Sequence, residues 1–289
     1  MADDVQPIRT HRTLRLQARP SWFAAASVLF ILVIVAVGAV TLLRPAAATA
    51  ATPELLKPEP IDGTSKEHLT SIGESVRTTN HSPGTIVRFQ SWALAFDPEA
   101  STPPQSITPE DHEIRYLDDG TIQIEIRAGV SYDANGQPLP EPSAAPGSVL
   151  WSETREPGDS MMIFGVPPTD AGEVAAFFEQ AGVVVDGTSG EYFSAVRLLL
   201  AEKSLASDQE AALIEFLATL PDIRVDGAVT DRRGREGISF STESRAPGEY
   251  RDTLVLSRSD GILSYEVTYI GSERTDIRAP AVIEYTAWE

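Results

Sequence analysis

Cysteine is absent from all 289 residues. That one absence excludes a disulfide framework, a thiol nucleophile, a thiolate metal site and a lipobox, so hydrophobic burial alone must hold any exported domain together. Catalytic signatures are missing too: no G-x-S-x-G elbow, S-x-x-K, H-E-x-x-H, phosphate loop or dinucleotide fingerprint occurs, which argues against an enzyme of those kinds and against a bound cofactor. Histidine is scarce, with four in the chain and only His68, His81 and His112 beyond residue 44. Asp111-His112-Glu113 does not make a metal site, because neighbouring side chains on a strand point to opposite faces. Asp133-Ala134-Asn135-Gly136 lacks the terminal acid of a calcium loop and reads as a turn.

Positive charge is the next shortage. The chain has 23 Lys+Arg against 42 Asp+Glu; residues 1–44 hold five and two of these, leaving 18 and 40, a net of −22, for residues 45–289. Such a field repels nucleic acid and anionic membrane surfaces. Among so many carboxylates a glycosidase pair needs only the right separation, which keeps an exported hydrolase as a third reading.

Long apolar runs are absent except for one. Trp22 to Leu43 carries no charge and no proline, and as a helix at 1.5 Å per residue it would cross a hydrocarbon core of about 30 Å. Arg9, Arg12, Arg15 and Arg19 precede it while Arg44 and Lys57 follow, so the positive-inside rule leaves the N-terminus in the cytoplasm and the remainder outside. A cleaved signal ending at Ala46-Ala47-Ala48 or Ala48-Thr49-Ala50 is the rival reading, and the length of the run, beyond an ordinary h-region of about 7–15 residues, favours the retained anchor. The organisation expected is a cytoplasmic tail (1–21), a transmembrane helix (22–43), a Pro/Ala-rich stalk (44–64) standing off the bilayer as an extended spacer, and an extracytoplasmic domain (65–289). The bilayer is thus one partner.

Ser65 to Thr78 spaces Leu69, Ile72 and Val76 as a short amphipathic helix. From Gly84 the period becomes two, in 85–92, 113–117 and 121–127, and Asp118-Asp119-Gly120 joins the last two as a hairpin. Val149-Leu150-Trp151 and Met161-Met162-Ile163-Phe164 read as further short strands. Ala171 to Gly182, Glu191 to Lys203 and a segment opened by Ser207-Asp208 and closed by Pro221 read as three helices. Strands resume at 223–226, 229–231, 238–241, 252–257, 263–270 and 282–288. The fold class is therefore α+β, an antiparallel sheet with about three helices on one side.

Pro167-Pro168-Thr169-Asp170, the helix holding Tyr192-Phe193 and Leu199-Leu200, Leu217 to Ile223, Val229-Thr230-Asp231 with Gly234 to Gly237, and Leu254-Val255-Leu256 with Asp260-Gly261 together resemble a family of uncharacterised actinobacterial single-pass membrane proteins often encoded beside extracytoplasmic-function sigma factors. The order of meander and helices also resembles the half-barrel of periplasmic lipoprotein carriers and of the regulator guarding the envelope-stress anti-sigma factor. The resemblance implies a non-enzymatic envelope binding or sensor protein linked to sigma-factor signalling, with an apolar sheet face beneath the helices; a tethered carrier of lipid or lipoprotein is the alternative. Trp92 and Trp151 are the ligand-cleft candidates. Parity on the first strand separates Phe89 from Trp92, with Phe89 expected in the core and Trp92 on the accessible side. Arg232, Arg233 and Arg235, around Gly234, form the one basic cluster, read as a solvated hairpin tip or as a contact for an acidic partner.

Overall fold

The chain divides into a unit of residues 1–45 and a unit of residues 46–289. The structure, a computed structural model, describes residues 49–95, 102–159 and 162–289. The expected span at Trp22 to Leu43 lies outside these; among the described residues no helix is long and apolar enough to cross a membrane.

Among the described residues nine strands form one antiparallel sheet: β1 (Ile86–Ala93), β2 (Glu110–Tyr116), β3 (Ile122–Ala128), β4 (Val149–Arg155), β5 (Arg224–Thr230), β6 (Glu236–Thr242), β7 (Tyr250–Ser257), β8 (Gly261–Tyr269) and β9 (Ala281–Trp288). Their order is β4-β3-β2-β1-β9-β8-β7-β6-β5. Two meanders thus meet at a central β1–β9 seam, where Phe89 lies opposite Trp288 and Trp92 opposite Tyr285. The Asp-Gly hairpin joins β2 to β3 as its sequence requires, with Gly120 at φ 85 and the Leu117 amide donating to the Thr121 carbonyl.

Among the described residues four α-helices accompany the sheet: α1 (Ser65–Arg77), α2 (Val174–Gln180), α3 (Ser189–Glu202) and α4 (Ser207–Leu217). Capping boxes set two starts, Thr64 with Glu67 for α1 and Thr188 with Glu191 for α3; each threonine oxygen and each glutamate satisfies an amide that the first turn leaves unpaired. The helix expected from Ala171 opens as a 3-10 turn, Ala171–Glu173, capped by Asp170, before α2 begins. The strand expected at 161–164 does not form over its described part, residues 162–164. Instead the Ile163 and Phe164 amides donate to the two oxygens of Glu202 at 2.9 and 3.1 Å, and the Phe164 ring packs beside Phe177 and Phe178. The expected strands at 223–226 and 229–231 are one strand, β5, with a register shift between Val225 and Gly227.

The main core lies between helices and sheet. Leu69, Ile72, Phe193, Val196, Leu199, Leu213 and Leu217 from the helices meet Phe240, Leu254, Leu256, Tyr265 and Val267 from β6, β7 and β8, all of them buried. Alternation places Val255 on the other face with Val229, and the register shift at Val255/Leu256, where Leu256 pairs with Ile262, turns Leu263 there as well. There the segment read as a free spacer lies against the sheet. Ala51 packs with Trp92, Ile107 and Tyr285, Leu56 packs on Val229, Val255 and Leu263, and Glu59 pairs with Ala228 through hydrogen bonds of 2.7 and 2.8 Å. Gly227, at φ 143, permits the approach, since a Cβ there would stand 2.1 Å from the Glu59 carbonyl oxygen.

Candidate functional site

An alternating strand in a half-wet sheet needs a second layer for its apolar side. Over β6, β7 and β8 that layer is present and the space beneath the helices is filled. Two carboxyls are buried there: Asp252 accepts from Arg245 at 2.7 and 3.1 Å and from the Tyr265 hydroxyl at 2.7 Å, and Glu210 accepts from the Ile262 amide at 2.8 Å. Burial pushes the Asp252 carboxyl up, against the pull of the guanidinium.

Over β2, β3 and β4 the layer thins out. The helices pack chiefly on β1, β7 and β8, and their reach toward β2 ends where the Tyr116 hydroxyl donates to the Glu202 carbonyl at the end of α3. Burial pushes that hydroxyl up to about 12. Register puts Ile114 opposite Ile124, and Ile126 opposite Trp151, so these four share the helix side. Ile114, Ile124 and Ile126 are only half-buried and Trp151 is 42% exposed, whereas Phe240 and Leu254 on the covered strands are at 0%. The opposite face of the same strands is a ladder of ion pairs: Arg88 to Glu113 at 2.7 Å, Arg115 to Glu113 at 2.6 Å and Arg127 to Glu125 at 2.7 Å. On β2 and β3 the uncovered side is therefore the more apolar one, and on β4 it carries Trp151 followed by the Glu153–Arg155 pair at 3.1 Å.

The two tryptophans singled out as cleft residues do not meet. Trp151 lies on this uncovered surface. Trp92, expected on the accessible side, is buried at 7%, its ring stacked 6.4 Å from Tyr285. Parity separates it correctly from Phe89, but Ala51 and Ile107 pack over it and its β9 neighbour Tyr285. Phe89 is half-buried against the main core and stacked 4.5 Å from His112.

The basic cluster is not a solvated tip. Arg232 holds Glu266 with two bonds of 2.7 and 3.0 Å; Arg233 reaches Glu289 at 2.5 Å; Arg235 holds Asp231 at 2.6 Å and donates to the Leu263 carbonyl at 2.9 Å. Glu266 and Asp231 are both buried, and a buried carboxylate demands a cation. Arg232 and Arg235 answer that demand, and burial still pushes the Glu266 carboxyl up. Beside Arg232 the outer face opens into a cleft of about 850 Å³ lined in part by Gln90, Tyr132, Asn135 and Tyr285. The Tyr285 hydroxyl donates to Gln90 at 3.1 Å, and burial holds it well above the ordinary tyrosine range.

Among the described residues no group of three His, Asp or Glu is arranged to hold a metal ion. His112 turns to the helix side, where Nε2 lies 2.9 Å from the Ser91 hydroxyl, while Asp111 and Glu113 face the other way.

No protein-family model matches the chain, and no curated protein matches it by sequence. Among solved structures it is distantly similar to MucB: 14% identity and a TM-score of 0.30 to MucB alone, over 78% of this chain and 56% of that one. To MucB in complex with MucA(peri) the identity is 13% and the TM-score 0.29, over 78% and 53%. To the Pseudomonas aeruginosa MucA/MucB complex they are 12% and 0.28, over 78% and 55%. The chain spans about half the length of the MucB chains it matches, and likeness at this level says nothing of ligand or partner.

Ile114, Ile124 and Ile126 are the surface residues that sequence reading assigned to a buried face. A signal for them exists in the chain: prolines at 138, 140, 142 and 146 flank β4 on one side and Pro157 on the other, leaving no nearby helix to cover it.

Proposed function

We propose that this chain is a membrane-anchored, non-enzymatic binding protein of the cell envelope, carried outside by the Trp22 to Leu43 span, and that it recognises another polypeptide on the apolar side of β2, β3 and β4. One observation carries the reading: the sheet is filled beneath its helices and bare beside them. A lipid carrier needs an enclosed apolar cavity, and the packed contacts of Phe193, Phe240, Leu254 and Tyr265 occupy that volume here. Turnover is disfavoured by the engagement of the most buried carboxylates, Asp252, Glu266 and Asp231, with arginines. A place in envelope-stress or sigma-factor signalling belongs to the proposal and is supported by the sequence resemblance alone.

Site-specific crosslinking in intact cells tests this. A photoreactive residue at position 151 is expected to trap a protein, and the same residue at position 92 is not; Ile124→Asp should abolish the adduct. Lipid adducts alone, or equal protein capture from both positions, would overturn the reading.

A further inference from the structure

Within that reading, the geometry points to a specific mode of capture: the partner docks as a tenth strand, an extended segment bearing lysine or arginine that pairs with the free edge of β4.

The sheet has two edges and treats them differently. β5 is met along its free side by the chain's own Glu59, which exchanges two backbone hydrogen bonds with Ala228. β4 pairs only with β3, and among the described residues its outward amides and carbonyls have no backbone partner. An unpaired edge is a template for another strand, and proteins ordinarily blunt it with lysine, proline or inward charge. Residues 149–155 contain no lysine and no proline, and the two charges turned to the helix side, Glu153 and Arg155, neutralise each other at 3.1 Å. They present Val149, Leu150 and Trp151 at 48%, 44% and 42% exposure.

The length and chemistry of the occupant follow. A register shift at Ile126/Arg127 leaves Trp151 to Arg155 as the regular part of β4, so a segment of about five to seven residues, roughly 17–24 Å long, fits. On the helix side the row Ile114, Ile124, Ile126 ends at Trp151 and is followed along β4 by Glu153 and Arg155, so the residue seated beside Trp151 must be apolar. Charge fixes the rest: Glu153 is taken up by Arg155, and Glu156 and Asp159 follow the strand with no Lys or Arg between them. A second copy of this chain is a poor occupant, because two domains of net −22 repel one another. A basic, alternating strand satisfies both the field and the edge, with backbone bonds giving affinity and alternate side chains giving selectivity.

The test uses the full chain in nanodiscs and three labelled nine-residue probes read by anisotropy: alternating valine and lysine, the same peptide N-methylated along its backbone, and valine alternating with glutamate. The first is expected to bind and to slow amide exchange across residues 149–155; the other two should bind at least tenfold more weakly, and Trp151→Ala should weaken the first by a similar factor. Equal binding of the N-methylated probe without exchange protection would overturn edge pairing. Equal binding of the glutamate probe would overturn the charge assignment. Failure of all three probes, with a protein still trapped at position 151 in cells, sinks this inference and leaves the proposed function standing; failure of both experiments removes both.

Discussion

Stability should fall as pH rises from 5 to 8, and Glu210→Gln should remove a large part of that fall. Glu210 is buried on α4, its Oε1 accepting from the Ile262 amide at 2.8 Å. Gly261 abuts it so closely that a Cβ there would stand 2.0 Å from Oε1. Burial pushes the Glu210 carboxyl up to about 7, against the Ile262 amide and with help from the charge of Asp260. His81 also faces it, with Nε2 at 3.7 Å from Oε2. A carboxyl raised from the 4.5 reference value holds its proton in the folded chain after the unfolded chain has lost it. Its contribution is complete below about pH 4.5 and lost as pH rises through about 7. At about 1.4 kcal/mol per pKa unit this amounts to ~3 kcal/mol. Glutamine keeps an oxygen for the Ile262 amide and carries no charge. Urea unfolding of both proteins at pH 5, 6, 7 and 8 should show the variant gaining on the wild type as pH rises, by ~3 kcal/mol across the series. His81→Ala should leave most of that difference in place. Parallel slopes for wild type and Glu210→Gln would refute the reasoning.

Other consequences are as direct. Gly227→Ala forces a methyl into the Glu59 carbonyl, so residues 49–60 should detach; thermolysin is expected to cut at Leu55 or Leu56 much faster than in the wild type, and unchanged cutting would show that the segment is not held there. Trp92→Ala should cost about 3–5 kcal/mol, as large core truncations do, while Trp151→Ala should stay within about 0.5 kcal/mol; chemical unfolding that reverses this ranking would contradict the two burials.

Local signals were readable and long-range ones were not. The Asp118-Asp119-Gly120 turn, the alternation in 121–127 and the spacing in 65–78 each named their element correctly, because each depends on neighbours a few residues away. Prolines at 53, 58 and 60 argued against a helix, and residues 49–60 form none, but Glu59 and the Ala228 it meets stand 169 positions apart in the chain. The same limit explains Trp92: alternation told which residues share its side, and nothing local told that Ala51 and Ile107 would cover them. Arg232 reads in sequence as a turn residue, since its reason for being there, Glu266, is on another strand. For Trp151 the sequence marked the right residue, and the structure supplied its neighbours.

The seam between β1 and β9 has a consequence for how the sheet is completed during synthesis. β9 follows the other eight described strands in the chain, and it occupies the middle of the sheet. Until it arrives, each meander can assemble only from its own hairpins, and each presents an inner border that will later be interior. Trp288, Tyr285 and Val282 are all delivered by this strand, so the central ladder closes only after those eight strands have been made. This is a long-range closure of the kind that slows folding. During that interval a chaperone would find its binding site at the centre of the future sheet, and a fault in this eight-residue strand would split the sheet down its middle.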